Sequence, residues 1–225
     1  MAGFFITGTD TDVGKTWCGV ALMTMLRARG YSVAGMKPVA AGCEWLDGRW
    51  KNSDALLLQQ HASLAPAYEL VNPYAFANPV SPHLACGNVV VDIGVIRSAF
   101  DAMSAGGDYV VVEGAGGWLS PLSRQYDNAA LAAELKLTVI MVVGMRLGCI
   151  NHARLTFDAI TRSGLSCAGW IAVNIDPAMA EIEGNLEYLR QAIDVPLLGV
   201  MPHQTRPDFD RLSAQLNLKI DNKLI

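Results

Sequence analysis

The residues best suited to chemistry lie near the start of the chain, between Gly8 and Thr16, where the sequence reads GTDTDVGKT. This segment follows a strand-like run at Phe4–Ile6 and opens a helical pattern, which is the context of a phosphate-binding loop. Glycine allows successive backbone N–H groups to converge on phosphate oxygens, and the start of the following helix adds partial positive charge. The pattern predicts that Lys15 reaches the β- and γ-phosphates of a nucleotide and that the Thr16 hydroxyl coordinates magnesium.

The segment is a variant of the usual phosphate loop. Thr9 stands where the first glycine is normally counted, and Gly8 lies one residue earlier. A glycine-rich turn with an incidental lysine is the alternative, but the strand before the segment and the helix after it favour a phosphate loop. We therefore expect ATP and magnesium as the ligands.

An acidic residue at the end of another strand-like run is a candidate metal ligand. The apolar run Tyr109–Val112 is followed by Glu113 and by the glycine-rich segment 114–117. Ligands of open α/β sheets bind beyond the carboxyl ends of the strands, so Glu113 is expected near the phosphate loop, as a magnesium ligand of the Walker B type or as a base behind it. A carboxylate that only caps the glycine turn is the alternative. Asp54, in the first turn of a predicted helix, is either a metal ligand or a partner of the helix dipole.

A second lysine, Lys37, ends the strand-like run Val33–Met36, and Pro38 excludes helix at its position. At that edge of the sheet its side chain is expected to face the ligand crevice. An anionic reactant approaching the γ-phosphate of ATP would be repelled unless a further cation lay between them, and Lys37 suits that role. A solvated lysine at a strand end is the alternative.

The composition limits the classes of partner. Apolar residues make up 52% of the 225, but the longest clearly apolar stretches are strand-sized, so no membrane span is expected. The strand-like run that follows Met1 leaves no room for a signal peptide, and the five cysteines are scattered without a Cys-x-x-Cys pair, so a cytoplasmic protein with reduced thiols is expected. The net charge of −4, without a Lys/Arg cluster, gives no indication of nucleic-acid or membrane binding and favours small-molecule partners.

Strand-like and helical patterns alternate along the chain, which predicts a single α/β domain over residues 1–225, with a mainly parallel sheet between layers of helices. The predicted strands are Phe4–Ile6, Val33–Met36, Tyr109–Val112, Thr138–Val143, Ala168–Val173 and Leu197–Val200. The predicted helices are Lys15–Arg29, Asp54–His61, Asp92–Ala105, Asn128–Leu135, Asn151–Ser163 and Ala180–Ala192. The segments Pro38–Lys51 and Pro66–Asn88 break this alternation and are predicted to be functional loops.

The chain resembles the dethiobiotin synthetase family over essentially its full length. The resemblance rests on ordered blocks at residues 8–16, 36–40, 52–55, 72–74, 81–83, 112–118, 147–152 and 169–170. It implies the three-layer P-loop NTPase fold and a reaction in which 7,8-diaminononanoate takes up CO2, the carbamate is phosphorylated by ATP, and the second amine closes a cyclic urea. Lys15 and Lys37 would be the catalytic residues, and Thr16, Asp54 and Glu113 the magnesium ligands.

The same resemblance implies the binding residues. The nucleotide would be bound by Asp12, Val13, Gly14, Lys15, Thr16, Trp17, Asp54, Glu113, Gly114, Ala115, Gly116, Asn174, Pro202, His203 and Gln204. The substrate would be bound by Thr11, Lys37, Ala41, Gly148, Cys149, Ile150, Asn151 and Tyr188, with the loop 148–151 contributed across the interface of a homodimer. This loop precedes a predicted helix, whose first N–H groups suit the substrate carboxylate. Tyr188 has an alternative place in the core.

Two positions depart from the family. Relatives commonly carry serine where this chain has Ala41, and a lost hydrogen bond to the substrate would weaken binding by about 0.5–1.5 kcal/mol. The segment around Asn174 aligns with the family in two registers that differ by one residue, which leaves the adenine contact open.

Two other kinds of P-loop protein are alternatives. Amidating synthases of the cobyrinic-acid type usually carry a glutaminase domain, for which this chain is too short. Switch ATPases of the Min or nitrogenase iron-protein kind carry an extra lysine early in the loop, near the place where this chain has Asp10, and the iron-protein kind also needs paired cluster cysteines, which are absent. Both alternatives are therefore less favoured than the synthetase.

Overall fold

The computed structural model describes residues 2–220, in which strands and helices alternate along the chain. The elements are β1 (Ala2–Gly8), α1 (Lys15–Ala28), β2 (Val33–Met36), β3 (Val39–Ala40), β4 (Glu44–Leu46), β5 (Arg49–Lys51), α2 (Ser53–Gln60), α3 (Tyr68–Val71), β6 (Tyr74–Ala75), α4 (Pro82–Ala85), α5 (Ile93–Ser104), β7 (Tyr109–Glu113), α6 (Asn128–Leu135), β8 (Thr138–Met145), α7 (Cys149–Arg162), β9 (Cys167–Asn174), α8 (Ile182–Ala192), β10 (Leu197–Met201) and α9 (Phe209–Ser213).

The centre of the fold is a six-stranded sheet with the order β10-β9-β8-β1-β7-β2, in which every pair is parallel. Parallel pairs require crossover connections, and the helices of these crossovers cover both faces of the sheet. Alternate side chains of one strand therefore enter different cores: Phe5 belongs to the cluster that includes side chains of α5, α6, α7 and α8, whereas Ile6 belongs to the cluster that includes side chains of α1 and α9. Both side chains are fully buried. The predicted α/β fold with helices on both faces is confirmed.

The strand order places the candidate site residues next to one another. β1 lies between β7 and β8, and β2 lies beyond β7, with Ile6 paired to Glu113 and Met36 paired to Val112. The carboxyl ends of parallel strands meet at one edge of a sheet. The phosphate loop after β1, Glu113 at the end of β7 and Lys37 after β2 consequently share that edge.

The strand and helix predictions hold in their centres and differ at their ends. Val33–Met36 and Asn128–Leu135 have the predicted bounds, while the helix predicted from Asn151 begins at Cys149 and the one predicted from Ala180 begins at Ile182. The two segments predicted as loops contain regular structure. β3 pairs with β6, β4 and β5 form a hairpin, and α3 and α4 are short helices. These elements have two to four residues each, too few for a hydrophobic period to be recognised.

Within residues 2–220, none of the helices combines the length and the apolar character needed to cross a bilayer. The assignment of residues 1–225 to a single domain stays a prediction.

Candidate active site

The phosphate loop leads from β1 into α1 through left-handed backbone at two positions. Asp12 has φ 56°, and Gly14, which precedes the helix, has φ 92°. A Cβ atom at Gly14 would approach Val173 Cγ1 to 3.0 Å in addition to the backbone strain. In the described part of the chain no side chain caps α1, and its first turn carries no acidic residue. The N–H groups of this turn are therefore available to an anion.

Asp10 organises the loop from within. Its backbone carbonyl accepts a hydrogen bond of 2.7 Å from Lys15 Nζ, and its Oδ1 accepts one of 2.7 Å from the N–H of Thr11. Its Oδ2 forms an ion pair with Arg146, which follows β8. Burial lowers the pKa of Lys15, although Glu113 acts in the opposite direction. The loop thus holds Lys15 on a neutral carbonyl. Arg146 was not identified from the sequence, because an isolated arginine after a strand has no distinctive pattern.

A buried ion cluster lies beside the loop. Lys37 Nζ is 2.6 Å from Glu113 Oε1 and 2.7 Å from Asp54 Oδ2, and Glu113 Oε1 also accepts a hydrogen bond of 3.0 Å from the Thr16 hydroxyl. The side chains of Lys37 and Glu113 are 8% and 1% exposed, while that of Asp54 is 39% exposed. The cluster joins β2, α2, β7 and α1, so the predicted convergence of Lys37, Asp54, Glu113 and Thr16 is present in the structure.

The pKa shifts in the cluster follow from burial and from this pairing. Burial raises the pKa of Glu113, against the attraction of Lys37. Burial alone would lower the pKa of Lys37, but Glu113 and Asp54 together raise it. Burial of Asp54 works toward a higher pKa, and Lys37 nevertheless holds that pKa below its usual value. Lys37 is therefore a charged ammonium group whose position depends on two carboxylates.

The loop after Glu113 is held by a buried asparagine that sequence analysis did not single out. Asn128, at the start of α6, is fully buried, and its Nδ2 donates hydrogen bonds of 2.8 Å to the carbonyls of Ala115 and Gly117. Its Oδ1 accepts a bond of 3.2 Å from the N–H of Ala115. In addition, the N–H of Gly114 donates to the carbonyl of Ile6 at 3.0 Å. These bonds fix the glycine-rich loop against β1, and only the fold reveals the pairing of an asparagine with a distant glycine loop.

The donor set around Glu113 fits a magnesium ion. Glu113 Oε2 is buried and has no hydrogen-bond partner within residues 2–220, so one carboxylate oxygen is left for a further ligand. The same residues contain no group of three or more His, Cys, Asp or Glu side chains that could hold a metal. Magnesium in phosphate sites is commonly bound by one or two carboxylates and completes its coordination with phosphate oxygens and water. The oxygens of Thr16, Asp54 and Glu113 are the donors that such a site would use.

A cavity of about 410 Å³ extends from this cluster toward β9 and β10. Its walls include the predicted residues Thr11, Asp12, Gly14, Lys15, Thr16, Trp17, Lys37, Asp54, Glu113, Gly116, Asn174, Pro202, His203 and Gln204. Asn174 Oδ1 is buried without a hydrogen-bond partner in the described chain, and His203 Nδ1 lies 3.3 Å from the Asn174 carbonyl oxygen. The predicted phosphate end and the predicted adenine end thus belong to one cavity.

Other predicted residues lie elsewhere. The Val13 side chain is buried in the core with α1, Ala115 is bonded to Asn128, and Gly114 is bonded to the carbonyl of Ile6. None of these three residues is among the described residues that line the cavity. Gly148, Cys149, Ile150 and Asn151 begin α7, Tyr188 is on α8, and Ala41 follows β3; none of these lines the cavity of residues 2–220. Gly148 has φ 95°, and α7 begins without a side-chain cap. Tyr188 is 45% exposed and accepts a hydrogen bond of 3.4 Å from Arg154, so it does not belong to the core.

Comparisons with known proteins identify the family of the chain. A sequence profile of the family described as an AAA domain matches residues 2–209. The ATP-dependent dethiobiotin synthetase of Aromatoleum aromaticum is 51% identical over 96% of both chains. The synthetase of Xylella fastidiosa strain 9a5c is 49% identical over 90% of this chain and 91% of the relative. The synthetase of Xanthomonas oryzae strain PXO99A is 48% identical over 96% of this chain and 97% of the relative.

Solved structures of low sequence identity share the fold. The septum site-determining protein MinD of Pyrococcus horikoshii, solved with Mg-ADP, has a TM-score of 0.56 at 16% identity over 90% of this chain and 82% of its own. A ParA family ATPase from Chlorobium tepidum has a TM-score of 0.57 at 10% identity over 91% and 85%. They support the P-loop NTPase fold alone, whereas the matches near 50% identity cover nearly the whole chain. The chain therefore belongs to the family of ATP-dependent dethiobiotin synthetases.

Proposed function

We propose that the chain catalyses the ATP-dependent carboxylation and ring closure of 7,8-diaminononanoate with CO2, which gives dethiobiotin, ADP and phosphate. The observation that carries the proposal is the meeting of Lys15, Lys37, Asp54 and Glu113 at one end of a single cavity. Family membership supplies the identity of the reactants. Phosphoryl transfer needs positioned cations around the γ-phosphate, and two lysines meet that need at this end.

The reaction proceeds through two successive acyl-type intermediates. One amine nitrogen of the substrate attacks CO2 and loses a proton, which gives a carbamate. A carbamate oxygen then attacks the γ-phosphorus of ATP, and ADP leaves. The second amine attacks the carbon of the resulting carbamic-phosphoric anhydride, a C–N bond closes the ring, and phosphate leaves while the amine loses a proton. No side-chain nucleophile is needed, and catalysis consists of positioning and charge stabilisation.

The two lysines divide this work. Lys15, which donates a hydrogen bond to the Asp10 carbonyl, would bind the β- and γ-phosphates. Lys37, which is held by Glu113 and Asp54, would lie between the carbamate oxygens and the γ-phosphate and bind both. Magnesium would be held by Thr16, Asp54 and Glu113, where it would neutralise charge on the β- and γ-phosphates. Asn174, Pro202, His203 and Gln204 would bind adenine.

The substrate carboxylate is assigned to the loop 148–151 of a second copy of the chain. This loop lies outside the cavity and ends at a helix whose first N–H groups have no capping side chain in the described chain. The neighbouring Leu147 is 93% exposed, and Tyr188 of α8, which accepts a hydrogen bond from Arg154 of α7, is 45% exposed. An anion receptor beside exposed apolar side chains suits an interface better than an isolated surface. We infer a homodimer in which each loop completes the site of the other subunit.

A switch ATPase is the second candidate, because MinD and ParA proteins share the fold. It would hydrolyse ATP without regard to the diamine. Identities of 48–51% to synthetases, against 10–16% to the switch ATPases, favour the synthetase. The two functions are distinguished by whether ADP release depends on the diamine.

Replacing Lys37 with alanine is expected to abolish product formation and to leave ATP binding largely intact, because Lys15 and the loop are untouched. The purified protein is incubated with ATP, magnesium, bicarbonate and 7,8-diaminononanoate, and the cyclic urea is measured by mass spectrometry. Lys219→Ala, which removes an exposed lysine far along the chain from the cluster, is the matched control and should retain full activity. Undiminished product formation by Lys37→Ala would refute the role of Lys37, and ADP release that ignores the diamine would favour the switch ATPase.

Replacing Lys37 with methionine is expected to make stability depend on pH. Glu113 then lies buried without its cation, so its pKa rises further and the folded chain binds a proton that the unfolded chain lacks. Stability is retained below the unfolded pKa of about 4.3 and is lost as pH rises through the folded pKa. In urea unfolding, the free energy of unfolding of Lys37→Met should be slightly below that of the unsubstituted chain at acid pH and about 3–5 kcal/mol below it at neutral pH.

The double variant Lys37→Met/Glu113→Gln is the control for this measurement. It removes both members of the ion pair, so most of the deficit and its pH dependence should disappear. A deficit of Lys37→Met that is the same at all pH values would contradict the assignment of Glu113 as the buried partner.

Co-expression of two inactive variants tests the shared site. Lys37→Ala damages the cluster of its own subunit, and Gly148→Asp places a repelling charge at the start of α7, where an added Cβ meets no atom within 4 Å. In a mixed dimer one of the two sites is intact, so about a quarter of the unsubstituted activity is expected. Lys37→Ala mixed with Lys15→Ala, which damage the same side, should stay inactive. If the first mixture is equally inactive, the loop serves its own subunit.

A further inference from the structure

Two of the sequence blocks shared with the family, residues 52–55 and 72–74, are joined by a buried hydroxyl. Tyr68, the first residue of α3, is 8% exposed. Its hydroxyl accepts a hydrogen bond of 2.7 Å from the N–H of Asn52 and donates one of 3.0 Å to Asn72 Oδ1. Burial raises the pKa of Tyr68, which keeps the hydroxyl protonated as a donor at neutral pH.

One end of this connection leads to Lys37. Asn72 is 4% exposed, and its Nδ2 donates a hydrogen bond of 2.6 Å to the backbone carbonyl of Lys37. The N–H of Lys37 donates to the carbonyl of Val71 at 2.8 Å. Both backbone polar groups of Lys37 are thus bonded to the end of α3. The position of α3 therefore determines the position of the Lys37 backbone.

The other end leads to Asp54. Asn52 is 6% exposed and caps α2, because its Oδ1 accepts hydrogen bonds of 3.1 Å from the N–H of Asp54 and 3.2 Å from that of Ala55. A cap fixes the first turn of a helix, and Asp54 belongs to that turn. The N–H of Asn52 itself is bonded to the Tyr68 hydroxyl.

We propose that Tyr68 is a positioning residue for the reaction, which sets the separation of Lys37 and Asp54 through Asn72 and Asn52. The inference rests on the proposed function and concerns a residue that does not line the cavity. Lys37 Nζ and Asp54 Oδ2 are 2.7 Å apart, yet Lys37 follows β2 and Asp54 belongs to α2, which are separate elements. A hydrogen-bonded bridge between the two backbones maintains the contact between Lys37 Nζ and Asp54 Oδ2 when the carbamate and the phosphoryl group compete for the lysine.

The bridge matters because the loss of its oxygen would leave two buried polar groups without a partner. Without the hydroxyl, the Asn52 N–H and Asn72 Oδ1 would either remain unpaired or move to find other partners. Movement of either asparagine is transmitted directly to Asp54 or to Lys37. A misplacement of about 1 Å in a catalytic group is sufficient to reduce catalysis.

The substitution Tyr68→Phe tests the proposal, with Tyr74→Phe as the matched control. The Tyr74 hydroxyl also has two backbone partners, the N–H of Asp92 at 2.9 Å and the carbonyl of Asp92 at 3.4 Å, but these belong to the start of α5. Both variants lose one hydroxyl with two hydrogen bonds, so both should unfold at somewhat lower temperature. For Tyr68→Phe alone, kcat should fall about tenfold or more with little change in the KM for ATP.

A second readout does not depend on turnover. The ammonium group of Lys37, labelled with nitrogen-15 and held by two carboxylates, gives an NMR signal whose position reports its hydrogen bonds. This signal should shift in Tyr68→Phe and stay in place in Tyr74→Phe. Equal kcat values for the two variants, or an unchanged Lys37 signal in Tyr68→Phe, would overturn the proposal. Absence of product from the unsubstituted chain would instead refute the proposed function, and the NMR comparison would then decide this inference alone.

Discussion

The ion pair between Lys37 and Glu113 is the interaction on which the site depends. Two buried charges at 2.6 Å lose their hydration on folding, and their mutual attraction offsets this loss only while both stay in place. Asp54 and the Thr16 hydroxyl supply the remaining contacts of the cluster. Such an arrangement is a weak source of stability, but it holds a charged ammonium group at the wall of the cavity.

The parallel sheet makes this cluster possible, since its members come from residues 16, 37, 54 and 113. The order β8-β1-β7-β2 places the ends of four strands side by side, and the first turn of α2 adds Asp54. Around the cluster, three buried asparagines fix the backbone: Asn72 bonds to the Lys37 carbonyl, Asn52 caps the helix that carries Asp54, and Asn128 holds the loop after Glu113. Lys15 donates to the carbonyl of Asp10, which is only partly buried. The reactive groups are thus pre-organised by neutral hydrogen bonds as well as by charge.

Much of this could be predicted from the sequence. Apolar runs flanked by glycine reveal the strands of a parallel sheet, and the rule that ligands bind at their carboxyl ends was enough to group Lys15, Lys37 and Glu113. What escaped prediction depends on contacts between distant segments. Arg146 on Asp10, Asn128 on Ala115 and Tyr68 between Asn52 and Asn72 are ordinary residue types in unremarkable local patterns. The short strands β3 and β6 likewise exist only because they pair with each other.

The most direct test of the shared role of the two lysines is a crystal structure of the chain with magnesium and a non-hydrolysable ATP analogue. We expect the Nζ atoms of Lys15 and Lys37 both to lie within about 3 Å of oxygens of the same terminal phosphoryl group, with Thr16, Asp54 and Glu113 around the metal. Two lysines that bind separate anions, or a terminal phosphoryl group out of reach of Lys37, would contradict it.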